Sequence, residues 1–193
     1  GVGASGEEVV VSQIGIGYNP STRLLDIPGR LDAGERVSLR VVGVRISISY
    51  SFHVTFFGDL GITGQPKSYG ANAATGMGAV ANYIGVGIPS SWVEITPSTT
   101  EPIDVLLIGV QGGGDITYTS GYIFVELGIG PISEESSILA LTGRPSTTEG
   151  IAFHQPMTFT VPRIQTGTRI VFRYTTNSNS NGMCDVSIIG ATK

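Results

Sequence analysis

The residues of this chain that could do charge chemistry recur in pairs. Arg36 and Arg40 share one face of an alternating segment, and Arg169 and Arg173 share a face of another. Glu7-Glu8 and Glu134-Glu135 stand at matching places upstream of them. Opposite charges facing each other across a sheet add only about 0.2–1 kcal/mol, but they help to fix register. These arginines and glutamates are therefore read as pairs between strands or at a subunit contact. A carboxylate- or sugar-binding surface is the functional alternative. Tyr69, Tyr83 and Tyr118 are the aromatics that a glycan-binding surface would display in loops. Trp92 opens an alternating run with Val93 and Ile95, so burial is expected for it.

Catalytic chemistry has little to draw on. The chain holds two histidines and one cysteine. His53 falls on the polar side of its segment, and His154 stands near Pro156 in a loop. No Gly-x-Ser-x-Gly nucleophile turn occurs. Gly1-Val2-Gly3-Ala4-Ser5-Gly6 fits the dinucleotide glycine pattern, but no strand precedes it and no helix follows. Asp26, Asp32, Asp59, Asp104 and Asp115 are scattered and form no calcium loop. A lone cysteine, Cys184, excludes an intrachain disulfide and a thiolate cluster, and reads as a small buried apolar residue. No enzyme, metal or cofactor is expected.

Composition narrows the classes further. Charged residues are 13% of the 193, about half the usual share. Eleven basic against fifteen acidic residues give a net charge of −4, with no surplus of cations to neutralise phosphates, so no nucleic-acid partner is expected. With 40% hydrophobic residues the chain can build a core. Its longest apolar runs, such as Val105-Leu106-Leu107-Ile108, are too short to span a membrane, and none is expected as partner. Position 1 is Gly rather than Met, so a processed or partial product is expected.

The elements that must position these residues are strands. Ile46, Ile48, Tyr50, Phe52, Val54 and Phe56 alternate with Ser47, Ser49, Ser51, His53 and Thr55. Ile170, Phe172 and Tyr174 alternate with Arg169, Val171 and Arg173. Residues 104–110 read as a strand buried on both faces, and 122–127 as another strand. Turn clusters at 111–115, 142–146 and 177–182 separate such runs. The best helix candidate, residues 71–82, is interrupted by Gly76 and Gly78, at about 1 kcal/mol each, and is read as loop. The expected fold is an all-β antiparallel sandwich, jelly-roll-like by preference and immunoglobulin-like second.

The sequence also repeats itself. The segment Gly1-Val2-Gly3 with Glu7-Glu8 matches Gly128-Ile129-Gly130 with Glu134-Glu135. Gly34-Glu35-Arg36-Val37-Ser38-Leu39-Arg40 matches Gly167-Thr168-Arg169-Ile170-Val171-Phe172-Arg173. Val54-Thr55-Phe56-Phe57-Gly58 matches Val186-Ser187-Ile188-Ile189-Gly190, which puts His53 in the place of Asp185. The expected organisation is an incomplete half-unit over 1–60, a loop or linker over 61–90, and a complete sandwich over 91–193. A half-unit alone leaves open edges and half a core, which calls for covering by another chain or unit.

The run Trp92-Val93-Glu94-Ile95-Thr96-Pro97-Ser98-Thr99, the strand Asp104-Val105-Leu106-Leu107-Ile108, Gly128-x-Gly130 with Glu134-Glu135, Val161-Pro162 with Gly167-Thr168-Arg169-Ile170, and the closing Asp185-Val186-Ser187-Ile188-Ile189-Gly190 carry a resemblance. In these blocks the chain resembles β-rich structural proteins of tailed bacteriophages that carry similar tandem units. The resemblance implies a virion component at the particle surface, of capsid-decoration or head-spike type, with a jelly-roll-like sandwich. It implies partners among copies of the chain itself, with a trimer favoured, and among other virion proteins such as the major capsid protein. The alternative it leaves is a tail or fibre component with a module for a host surface glycan. It assigns no catalytic residue.

Overall fold

The computed structural model describes Gly34 and residues 61–70, 78–113, 122–143, 157–177 and 183–193. The expected half-unit over 1–60, with Glu7, Glu8, Arg36, Arg40 and His53, lies outside the described residues apart from Gly34. Tyr118 and His154 lie outside them as well.

Among the described residues the chain forms strands and no helix: β1 (Lys67–Tyr69), β2 (Ala79–Asn82), β3 (Val93–Thr96), β4 (Ile103–Gly113), β5 (Ile123–Ile129), β6 (Ser136–Gly143), β7 (Met157–Ile164), β8 (Ile170–Thr176) and β9 (Met183–Ala191). One sheet runs β1-β9-β4-β7, with β2 also on β9; the other runs β3-β8-β5-β6. Every ladder between these strands is antiparallel. The pairings nest: β5 with β6, β4 with β7, β3 with β8, and β1 and β2 with β9. A long hairpin wrapped so that successive pairs alternate between two sheets is the jelly roll.

The core follows from the period of two. Ile123, Val125 and Leu127 of β5 and Ile170, Phe172 and Tyr174 of β8 face Leu106 and Ile108 of β4 and Cys184, Val186 and Ile188 of β9. Each of the aliphatic and phenylalanine side chains among them gains roughly 1.5–3 kcal/mol on full burial. Strand β4 is apolar on both sides, as its sequence demands. Leu106 and Ile108 enter the core between the sheets, while Val105 and Leu107 take the opposite face and are buried too.

The boundary expected at residue 91 needs correction. Residues 61–90 are not a linker, because β1 and β2 lie within them and pair with β9. β1 lies on Tyr69↔Ile188 to Lys67↔Gly190, and β2 on Asn82↔Met183 to Ala79↔Val186, so together they fill one strand position. Part of the stretch weighed as a helix is thus strand. Two glycines allow the fit. Gly70 takes φ 80°, and a Cβ on Gly78 would stand 2.5 Å from the Val186 carbonyl oxygen. These strands are short and carry no alternation of their own; the edge of β9 supplies their hydrogen bonds.

The fit of β2 on β9 is checked by the thiol of Cys184, which is wholly buried. Burial, reinforced by the neighbouring Asp185 carboxylate, pushes this thiol well above its ordinary range. Iodoacetamide at pH 8 is expected to leave the native thiol unlabelled. Gly78→Val forces β2 off β9 at a cost of about 1–3 kcal/mol, so labelling should be about tenfold or more faster. Equal labelling of both proteins would show that β2 does not cover β9.

Candidate functional site

The charged residues converge on the outer face of the β3-β8-β5-β6 sheet. Alternation sends Arg169, Val171 and Arg173 outward from the β8 segment, opposite to Ile170, Phe172 and Tyr174. Arg169 Nε donates to Glu94 Oε2 at 2.8 Å, and its Nη1 donates to Glu135 Oε1 at 2.9 Å and to the Gly130 carbonyl at 3.1 Å. One guanidinium thus ties together β3, the start of β8 and the turn between β5 and β6. The turn is shaped to meet it: Gly130 takes φ 128°, Ser133 takes φ 70°, and Glu134 N–H donates to the Pro131 carbonyl at 3.1 Å. Gly130 N–H in turn donates to the Arg169 carbonyl at 3.3 Å.

Arg173 makes a second cross-strand pair, its Nε donating to Glu126 Oε2 on β5 at 2.5 Å. Its guanidinium also lies 4.5 Å from the centroid of the Trp92 ring. Gly128 makes room for that ring, since a Cβ there would come within 2.9 Å of two Trp92 ring carbons. Trp92 is therefore half-buried against the outside of the sheet rather than in the core where its alternation suggested. Val171, between the two arginines, is fully buried.

The electrostatics match this geometry. The hydrogen bond from Arg169 holds the Glu135 carboxyl below its usual range, while the bonds to Glu94 and then Glu135 push the Arg169 guanidinium up. The fork of Arg169 is spent on two carboxylates and a carbonyl. The arrangement ties β3, β8, β5 and the β5–β6 turn in register. Glu134 is exposed in the turn and makes no ion pair among the described residues.

The tyrosines divide differently from the expectation. Tyr69 is buried, not displayed in a loop: its ring joins the core, its hydroxyl meets Thr100 Oγ1 at 3.2 Å, and it accepts from Thr100 N–H at 3.3 Å. Tyr83 is half-buried against the same core. Among the described residues the exposed large apolar side chains are instead Ile84, Val86, Ile88, Tyr122, Phe124 and Ile132.

Asp185 stands apart from the outer-face network. It is 4% exposed on β9, between Val80 of β2 and Gln111 of β4 in register. It has no hydrogen-bond or ionic partner among the described residues, and burial pushes its carboxyl up to about 7. No group of three or more His, Cys, Asp or Glu that could hold a metal occurs among the described residues.

Glu94 and Glu126 are the ion-pair partners that the sequence did not single out. Each sits at an outward position of an alternating strand, which was a signal, but the register that aims them at Arg169 and Arg173 was not legible. No protein-family model matches the chain, and no curated protein matches it.

Two outcomes are expected from stability measured against pH. Asp185 has a raised folded value, so the unfolded state releases its proton near pH 4 and the folded state only near pH 7. Stability therefore falls as pH rises through that window and is level above it. Asp185→Asn should match the parent near pH 4 and exceed it by about 2 kcal/mol at pH 8 in urea unfolding; this halves the full shift for solvent screening. An unchanged pH profile would show the carboxylate to be solvated. Glu135 has the opposite sign: its contribution is full above the ordinary carboxylate value and fades as pH falls through the lower folded one. Arg169→Met should lower the melting temperature at pH 7 and narrow the gap to the parent at pH 2–3. A gap that stays constant with pH would show that the pair does not couple to folding.

Proposed function

We propose that this chain is a non-enzymatic structural protein on the surface of a tailed-phage particle, of capsid-decoration or head-spike type. It acts by packing against copies of itself and against other virion proteins such as the major capsid protein. One observation carries the reading. Among the described residues, the large apolar side chains Ile84, Val86, Ile88, Phe124 and Ile132 are exposed, Ile132 at 76%. Three of them alternate within one stretch before β3, and Phe124 stands on the outer face of β5. A chain with 13% charge that leaves such groups in water is suited to covering by neighbours.

The jelly roll supports the same reading, since it offers broad rigid sheets without requiring a pocket. The resemblance of the β3 to β9 blocks to phage structural proteins supplies the particle context. The fibre reading with a host glycan has lost its Tyr69 platform, because that ring is committed to the core.

Peptide mass spectrometry of purified particles, after heads and tails are separated, tests the proposal. Peptides of this chain are expected in the head fraction at high copy number. Confinement to the tail fraction would replace decoration with a fibre role. Absence from both would overturn the virion reading.

A further inference from the structure

Sheet edges decide where a β protein can meet another chain, because an edge presents unpaired N–H and C=O groups. The described edges of this sandwich are not alike. β1 and β2 are short, and Lys67 sits in β1. β3 is short, carries Glu94 and has a register shift next to it. β7 is long but contains Pro162 and Arg163. β6 is eight residues, Ser-Ser-Ile-Leu-Ala-Leu-Thr-Gly, with no charge and no proline. Its ladder to β5 is the only one it makes among the described strands. Devices that blunt an edge are thus present on the other edges. On β6 they are limited to one extra residue near its start, where Leu127↔Leu139 is followed by Gly128↔Ser137.

We propose that β6 is the strand along which two copies of this chain join, by antiparallel edge pairing about a two-fold axis at Leu141. The proposal rests on the reading that the chain assembles with copies of itself, and names the surface and the symmetry. The extra residue leaves 139–143 as the regular run, and Leu141 is its centre. In an antiparallel ladder opposed residues share a face, so registers that match core face to core face are those centred on a residue. Centring on Leu141 opposes Leu141 to its own copy on the core side, and Ala140 to Thr142 of the other copy on the outer side. Leu141 is buried and Leu139 half-buried, so the apolar layer continues across the seam. Ala140 and Thr142 are exposed, small and uncharged, so self-pairing brings no like charges together. Phe124, 43% exposed and opposite Thr142 in register, flanks the seam in each copy. The two four-stranded sheets become one of eight strands. Pairing a strand with its own copy is two-fold by geometry, so this contact replaces the trimer expected from sequence.

Sedimentation equilibrium on the full chain tests this, with the double variant Ala140→Lys/Thr142→Lys beside it. Both changes lie on the exposed outer face and set lysine against lysine across the two-fold. The parent is expected to form dimers or even-numbered assemblies, and the variant to dissociate with a Kd at least about tenfold higher. A variant that assembles as tightly as the parent, or a trimeric parent, overturns the β6 contact and leaves self-assembly standing. A monomeric parent at high protein concentration overturns both. Thr142→Cys with a short bis-maleimide gives a second readout that does not depend on the lysines. Crosslinked dimers are expected, since the two sites lie within about 10 Å across the paired strands. Assembled protein that yields no crosslink also overturns the contact.

Discussion

Strand β9 is the member on which the rest of the sandwich depends. It pairs with β4 along one edge over its whole length and with β1 and β2 along the other. Its side chains are buried alternately in the core and on the opposite face, from Cys184, Val186 and Ile188 to Asp185, Ser187 and Ile189. A strand so enclosed has no water to satisfy its backbone, so each amide must find a neighbouring strand. That requirement draws β1 and β2, which have little strand preference of their own, into the sheet. It also closes the outermost pair of the nested hairpin, since β9 comes last and β1 and β2 come first among the described strands. At the chain's end, Thr192 Oγ1 donates to the Pro102 carbonyl at 2.6 Å and Lys193 N–H to Asp104 Oδ2 at 3.0 Å, which holds β9 beside the start of β4.

The second sheet is held by a different balance. Its inner face is apolar, but its outer face is fastened by Arg169 and Arg173. Single exposed pairs are worth little. Here one arginine serves two carboxylates and a carbonyl, and the other combines a carboxylate with the Trp92 ring. These bonds link residues far apart in sequence and close in the sheet, which is where register needs fixing. Among the described residues, Arg169 and Arg173 pair with carboxylates of neighbouring strands and of the β5–β6 turn.

The legible part of the fold was the part written in a period of two. Ile123, Val125 and Leu127, and Ile170, Phe172 and Tyr174, declared their inner faces by alternation, and residues 104–110 declared a doubly buried strand. What alternation cannot convey is register. Glu94 reaches Arg169 only because β3 pairs with β8 across the nested hairpin, and no local pattern states which glutamate an arginine will meet. Lys67-Ser68-Tyr69 and Ala79-Val80-Ala81-Asn82 are strands by virtue of β9, so the residues around them read as linker. Tyr69 and Trp92 exchanged their expected places for related reasons. The Tyr69 hydroxyl finds Thr100, which makes burial affordable, while Trp92 finds a glycine to lie on and a guanidinium to cover it.

The two sheets also differ in what they leave for other molecules. Residues 105–108 of β4 and 184–191 of β9 are buried on both faces, so that sheet contributes rigidity. The β3-β8-β5-β6 sheet keeps one uncharged edge, an outward phenylalanine and an exposed Ile132 at the tip of its β5–β6 turn. Evolution toward solubility would place lysine or proline on such an edge, as β7 carries Pro162 and Arg163 on its own. Among the described strands, β7 carries edge-blunting residues and β6 carries neither a charge nor a proline. That asymmetry between the edges is what the proposed β6 contact rests on.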